Sequence, residues 1–489
     1  MALKRSLIPV VVAVGMVFVL LGFFRTLGAR ASLSAPAGNA GRIPKADLLQ
    51  HSRALTGSDP TSHTLFLPGV FSNYRRPFPT VFGAQMYGIL SEERVSFSQS
   101  QDAKVYWVRW PLSWASIEPT NTLPQDYHWG VYESSIVSAT HAGLHLIVTI
   151  QNNPDWAATY ANGPIDKVDI SEFAQFVGAL AERYDGDGWE DAAGSPVVDY
   201  WEFYNEPDAG DELRARYGAS YWGHFGAEYA QMLCAVYPAI KTANPRAQVL
   251  LGGLAYDHFE PNGGFVQEFL DDVLAAGGGD CFDVMNFHYY PTFEPVWAPY
   301  GHGLSGKANY LYDKLGQYGQ EGKPMISTES GWHSDGDSTP EIQTRYVVKL
   351  FTQSLASHLD LMIWWTWIDP GSYYGANGLL TQELQPKPAF FAYQAAAIKL
   401  GPATFDEIWP AEDPEVEAYR FSTQAGEALY VIWANNDATH TVSLPLSQAR
   451  LLDMYGEITA VVRDSEDGAT DGHVQVSAEP NPIYVEGVP

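Results

Sequence analysis

Cysteine is nearly absent from this sequence: only Cys234 and Cys281 occur, with none of the Cys-x-x-Cys spacing that holds a zinc ion or an iron–sulfur cluster. Two such residues allow one disulfide in an oxidising compartment, and equally allow two separate buried thiols. Basic residues are scarce. Lys and Arg total 28 against 57 Asp and Glu, a formal net charge of −29, and a surface of that sign repels phosphate backbones and anionic headgroups, so nucleic acid is excluded as a partner. A glycine-rich phosphate loop is missing too. The first strand-like run is followed by Tyr87-Gly88-Ile89-Leu90, which leaves an open, doubly wound nucleotide-binding sheet without its signature. Histidines do not cluster with acidic residues at strand ends, where His288 stands nearly alone. No metal or other cofactor is therefore expected.

One long apolar run is present, from Leu7 to Phe24, preceded by Lys4 and Arg5 and followed by Ala29-Arg30-Ala31. Residues 1–31 thus read as an export signal or an N-terminal membrane anchor, with the protein expected outside the cytoplasm, secreted or tethered at the outer face. No cysteine follows the run, so a lipid-modified N-terminus is not expected. Residues 32–62, rich in Ala, Gly, Ser and Pro, read as a linker.

Aromatic residues are abundant at 13% of the chain. Either an open groove lined with flat rings, suited to stacking on sugars, or a large core built with Trp and Tyr accounts for them. In residues 63–400, eight short strand-like runs alternate with longer helical stretches. They lie at 82–86, 106–110, 144–151, 198–205, 249–254, 282–290, 324–329 and 361–368, the pattern of a (β/α)8 TIM barrel of the α/β class. Two helices are clearest. Asp169 is placed to cap one, with Glu172 three residues on and Phe173, Phe176, Val177 and Leu180 on one face. The other runs from about Tyr221 to Thr242 and stops before Pro245. Residues 401–489 change character: 417–421, 428–434 and 439–446 are short alternating runs separated by turns such as Asn435-Asn436-Asp437, which predicts a small all-β, sandwich-like domain.

In a barrel of this kind the residues that close each strand build the site. The fourth run ends Trp201-Glu202-Phe203-Tyr204-Asn205-Glu206-Pro207, and the seventh ends Ser327-Thr328-Glu329-Ser330-Gly331-Trp332. Pro207 is expected to keep Glu206 extended on the rim. Strands four and seven face each other across the mouth, so the two carboxylates are expected to meet over a substrate. Two carboxyl groups of opposite protonation state are what glycosidic cleavage requires: a proton for the leaving oxygen and a partner for the charge at the anomeric carbon.

These two motifs resemble those of glycoside hydrolase clan A, residues 201–207 being similar to family 39 and residues 328–332 to families 5 and 17. The resemblance spans roughly residues 80–400 and implies a (β/α)8 barrel, retention at the anomeric carbon and a β-linked carbohydrate substrate. It further implies Glu206 as general acid/base, Glu329 as nucleophile and Asn205 as the amide that meets the sugar 2-hydroxyl. Arg109 resembles the arginine that keeps the nucleophile ionised, although it is also placed to neutralise Glu202. His288 and Tyr290 resemble the histidine and tyrosine of the sixth strand. Trp365, or alternatively Trp367, resembles the tryptophan flooring the innermost sugar site. Trp156 near the end of the third strand is a further candidate platform or a packing anchor, as are Trp110, Trp114 and Trp332. The loop Gln151-Asn152-Asn153-Pro154-Asp155-Trp156 departs from the family 5 pattern in lacking the histidine found there. The same carboxylate pair would also serve transglycosylation, whereas a non-catalytic glycan-binding protein would need neither glutamate.

Overall fold

The computed structural model describes residues 81–210, 221–371, 375–468 and 470–488, all within one compact unit that runs from Arg76 to Pro489. The signal or anchor expected at 1–31 and the linker expected at 32–62 lie outside the described residues. Among the described residues no helix is long and apolar enough to cross a membrane.

All eight barrel strands form: β1 (Phe82–Gln85), β2 (Trp107–Ser113), β3 (His145–Gln151), β4 (Tyr200–Phe203), β5 (Gln248–Leu250), β6 (Met285–Tyr289), β7 (Met325–Ser330) and β8 (Leu361–Trp364). They pair in parallel in the order β5-β4-β3-β2-β1-β8-β7-β6. Bridges Leu250–Val284 and Leu254–Phe287 join β5 to β6 and close the barrel. β4, β5 and β8 end earlier than expected, at Phe203, Leu250 and Trp364, whereas β2 and β7 run on to Ser113 and Ser330. Trp107, Ile147, Leu250, Val284, Ile326, Leu361 and Ile363 fill the lower interior. Gly83 makes room for them, since a Cβ there would stand 2.4 Å from Ile363 Cδ1 and 2.6 Å from Trp107 Cβ.

Helices cover the outside. Ile170–Arg183 is capped by Asp169, whose side chain accepts from Ser171 N at 2.9 Å, and it buries Phe173, Phe176, Val177 and Leu180. A later helix is Gly226–Ala243. It begins later than its sequence suggests, because the residues just before Gly226 are spent in turns. Cys234 on this helix is disulfide-bonded to Cys281, which decides between the two sequence alternatives.

After the last barrel helix, Pro388–Leu400, the chain turns all-β: β9 (Thr404–Ile408), β10 (Val416–Ser422), β11 (Ala428–Ala434), β12 (His440–Leu444), β13 (Gln448–Leu452), β14 (Ile458–Arg463), β15 (Val474–Ala478) and β16 (Ile483–Gly487). The sandwich is unequal. Six strands form one sheet, β14-β13-β16-β11-β10-β9, and β12 and β15 form a second. The larger sheet is covered on both faces: Tyr430 and Ile432 of β11 pack toward the small sheet, while Leu429, Val431 and Trp433 join the barrel's core. That double burial explains why Ala428–Ala434 is almost entirely apolar. Most of the tryptophans are likewise in the core, Trp107, Trp110, Trp114, Trp201, Trp222, Trp297, Trp364, Trp367 and Trp433 being fully buried, so packing accounts for much of the aromatic surplus.

Candidate active site

Side chains alternate in and out along a strand, and the inward positions just above the apolar floor are polar. They are Gln85 on β1, Arg109 on β2, Thr149 on β3, Glu202 on β4, Asn286 on β6 and Thr328 on β7, all buried. Glu202 is their hub. Arg109 Nε and Nη2 donate to its two oxygens at 2.7 and 2.9 Å. Thr149 Oγ1, Gly253 N, Asn286 Nδ2 and Thr328 Oγ1 donate at 2.5, 3.0, 2.9 and 3.2 Å. A carboxylate without solvent access is tolerable only with such a set of donors. Arg109 Nη1 then reaches Glu329 Oε2 at 3.1 Å and Gln85 Oε1 at 3.1 Å, while Nη2 also donates to Asn205 Oδ1 at 2.7 Å. Arg109 therefore does both things its sequence allowed, neutralising Glu202 and contacting Glu329.

A register shift brings Glu329 into this layer. On β7, Phe287 pairs with Ser327 but His288 pairs with Glu329, so Thr328 is skipped. Strict alternation would send one of two consecutive residues outward; the irregularity lets Thr328 and Glu329 both reach the interior. Glu329 Oε1 accepts from the Tyr290 hydroxyl at 2.8 Å.

Glu206 stands opposite. The expectation that Pro207 keeps it extended is wrong: its φ is +47°, and Tyr204 also lies at +62°. The chain kinks twice after β4, a conformation unfavourable for non-glycine residues that must be held from outside. Glu206 N donates to Gly253 O at 3.1 Å, and two residues on the Asp208 carboxylate accepts from Ala255 N and Tyr256 N at 3.1 and 2.7 Å. His288 Nδ1 lies 3.0 Å from Glu206 Oε1 and 4.0 Å from Glu329 Oε2. Oxygens of the two carboxylates and this nitrogen fall within 4.8 Å of one another. Gly253 permits the arrangement, since a Cβ there would be 2.2 Å from His288 Nε2.

The two glutamates sit in different fields. Burial pushes the Glu206 carboxyl well above the usual range, and the charges of Glu329, Asp208 and Asp257 add to that. Burial also raises Glu329, but there Arg109 and the Tyr290 hydroxyl oppose it. Of the two, Glu206 is thus pushed further above the ordinary range and gives up its proton less readily than Glu329. Burial, together with the cations Arg109 and Lys307, drives His288 well below its ordinary value, so its ring is neutral.

Trp365 borders the same space. Its Nε1 donates to the Tyr87 hydroxyl at 2.7 Å, and Tyr87 interacts with both Arg109 and Tyr290. Trp367 does not compete for that place: it is fully buried, with Nε1 bonded to Val95 O and its ring against Phe390. Trp156 is not brought to the carboxylates. Its ring packs edge-on to Trp114 at 5.2 Å and its Nε1 donates to Glu118 O, so it anchors a loop. Trp110 and Trp114 are buried with their ring nitrogens bonded to Gly88 O and Glu118 Oε2.

Sequence reasoning passed over Gln85, Thr149, Asn286, Tyr87 and Lys307. For Thr149 and Asn286 a signal existed, a polar residue at an inward position of an otherwise apolar strand. For Lys307, on an amphipathic helix, none did.

Residues 75–371 match the model of the cellulase family, glycosyl hydrolase family 5. No curated protein matches the chain. Among solved structures, a family 39 glycoside hydrolase from the gut symbiont Bacteroides cellulosilyticus is 20% identical with a TM-score of 0.65, over 84% of this chain and 82% of that one. A glucosidase from Croceicoccus marinus is 15% identical with a TM-score of 0.58, over 83% and 94%. A family 30 endoxylanase from Clostridium papyrosolvens is 15% identical with a TM-score of 0.56, over 84% and 96%. These three likenesses show a shared fold.

Proposed function

Because the chain belongs to the cellulase family, glycosyl hydrolase family 5, and is therefore a glycosidase, we propose that it cleaves a β-linked oligo- or polysaccharide with retention, by double displacement through a covalent glycosyl-enzyme. The missing histidine in the loop after β3 does not remove it from that family. One observation carries the proposal: the Glu206 and Glu329 carboxylates converge within 4.8 Å in unequal electrostatic settings, burial raising both but Arg109 and Tyr290 opposing it at Glu329. That separation suits direct attack by one of them, for retaining enzymes hold their carboxyl groups about 5 Å apart, whereas inverting ones leave room for a water.

Glu329, ionised beside Arg109 and Tyr290, attacks the anomeric carbon while Glu206 protonates the departing oxygen. Esterification removes the charge of Glu329, so Glu206 becomes the stronger acid and then takes the proton from the incoming water. Asn205, with its amide oxygen fixed by Arg109, is oriented toward the sugar 2-hydroxyl. Trp365 floors the innermost sugar site. Glucose- and xylose-based substrates are the first to test, since structural neighbours include a glucosidase, an endoxylanase and a β-xylosidase. The Cys234–Cys281 disulfide supports a place outside the cytoplasm, reached through the N-terminal signal or anchor.

The test is a panel of aryl β-glycosides and β-linked polysaccharides with wild type, Glu206→Gln and Glu329→Gln. Each substitution should lower kcat by roughly 10²–10⁴-fold while the fold is kept, and NMR should find the first-formed sugar with the substrate's anomeric configuration. Wild-type rates in either variant, or an inverted first product, would overturn the assignment.

A further inference from the structure

A lysine lies buried behind Glu206 without any part in the chemistry described above. Lys307 belongs to the first turn of the helix Leu304–Gln317, and its side chain has no solvent exposure. Its ammonium donates to Asp257 Oδ1 at 2.7 Å, to the His288 carbonyl at 2.7 Å and to the Ala255 carbonyl. All three of its donors are thus used. The rings of Trp297 and Phe287 flank it at 5.2 and 5.8 Å.

The partners of Lys307 come from two elements that each restrain Glu206. Ala255 and Asp257 belong to the segment after β5. This segment holds the main chain around Glu206, through Gly253 O to Glu206 N and through Ala255 N and Tyr256 N to Asp208. His288 belongs to β6 and holds the side chain, with Nδ1 on Glu206 Oε1 at 3.0 Å. The main-chain restraint and the side-chain restraint therefore share one anchor. An ion pair would have been satisfied by Asp257 alone; this ammonium also clasps two carbonyls from separate strand ends.

Building on the reading of Glu206 as acid/base, we propose that Lys307, with Asp257, is a positioning residue that aims the Glu206 carboxyl group at the leaving oxygen by locking the segment after β5 to His288. The charged and titratable groups facing Lys307 are Asp257, Asp208, Glu206 and His288. None of them but Glu206 touches substrate in the proposed mechanism. Loosening the lock leaves the acid present but misaimed. Substrates that need a proton on the leaving group suffer, and those that do not are spared.

The experiment measures kcat/KM, which reports the first displacement, for aryl β-D-glucosides and β-D-xylosides with leaving groups from 2,4-dinitrophenol to phenol. Wild type, Glu206→Gln, Lys307→Met and Asp257→Asn are compared. Misplacing a reacting group by about 1 Å costs on the order of a hundredfold, and a loss of that order is expected for Lys307→Met with the phenyl glycoside. The dinitrophenyl glycoside should be cleaved at nearly the wild-type rate, and Asp257→Asn should show the same selective loss. A loss uniform across the leaving groups, or no loss, overturns the inference. If Lys307→Met fails to fold, Asp257→Asn, which keeps the side-chain shape, decides alone. If Glu206→Gln itself shows no dependence on the leaving group, the acid/base reading has failed, a result distinct from a failure confined to the Lys307 and Asp257 variants.

Discussion

The Tyr290 hydroxyl donates to Glu329 Oε1 at 2.8 Å, a bond only the charged carboxylate accepts at full strength. Tyr290→Phe removes it, and the Glu329 carboxyl must then rise further above the ordinary carboxylate range. Activity needs Glu329 ionised, so the acid limb of the kcat/KM profile should move to higher pH. The value at the optimum should fall about ten- to a hundredfold, the worth of a hydrogen bond to a charged group. A pH profile of the purified variant checks both; an unmoved acid limb would separate Tyr290 from the ionisation of Glu329.

Arg109 is the cation of the buried Glu202 carboxylate as well as the neighbour of Glu329. Arg109→Met leaves Glu202 charged and unpaired in a site without solvent, which should cost about 3–5 kcal/mol of stability in a urea titration. Adding Glu202→Gln removes that stranded charge, so the double variant should be more stable than Arg109→Met alone. Equal stabilities would mean that Glu202 is not the reason for the loss.

His302 is clamped between the barrel and the C-terminal sheet, Nδ1 at 3.0 Å from Glu294 Oε1 and Nε2 at 2.9 Å from Glu417 Oε1. Bonds to Glu294 and Glu417 hold the imidazole up at about 10. Burial works against the Glu417 charge, yet His302 and the neighbouring donors keep it down at about 2. The raised histidine stabilises the fold fully below its ordinary 6.5 and less as pH climbs through 10. The lowered glutamate does so above its ordinary 4.5 and less as pH falls toward 2. His302→Ala should therefore lower Tm most between these two ordinary values, and the difference from wild type should close by about pH 10. A difference that persists above that pH would show that packing, not charge, is what His302 supplies.

Glu206, His288 and Glu329 are close enough together to share an ion, but the guanidinium of Arg109 already lies on Glu329, and its positive charge opposes a second cation. Dialysis against a chelator is expected to leave kcat unchanged, with full activity before any metal is added back. Loss of activity that returns with a divalent metal would require a different mechanism.

Much of the fold was legible in the sequence because it depends on local patterns. Apolar runs of strand length, the Asp169 cap and the phased Phe173, Phe176, Val177 and Leu180 are set by neighbours in the chain, and eight β-then-α units have few ways to bury their faces. The positions of Glu206 and Glu329 at two strand ends were visible for the same reason. What only the tertiary structure decided lies in contacts across the barrel. The shift on β7 that turns Glu329 inward, the left-handed turn at Glu206, the pairing of Cys234 with Cys281, the choice of Trp365 over Trp367 and the burial of Lys307 all depend on residues tens to hundreds of positions away. Tyr204 and Glu206 adopt positive φ against their own preference and that of Pro207, because hydrogen bonds of Tyr204 with β3 and its loop, and of Glu206 with the segment after β5, outweigh a local cost of about 1–3 kcal/mol each. Short-range preference proposes a conformation, and packing across the barrel overrules it wherever the site requires another.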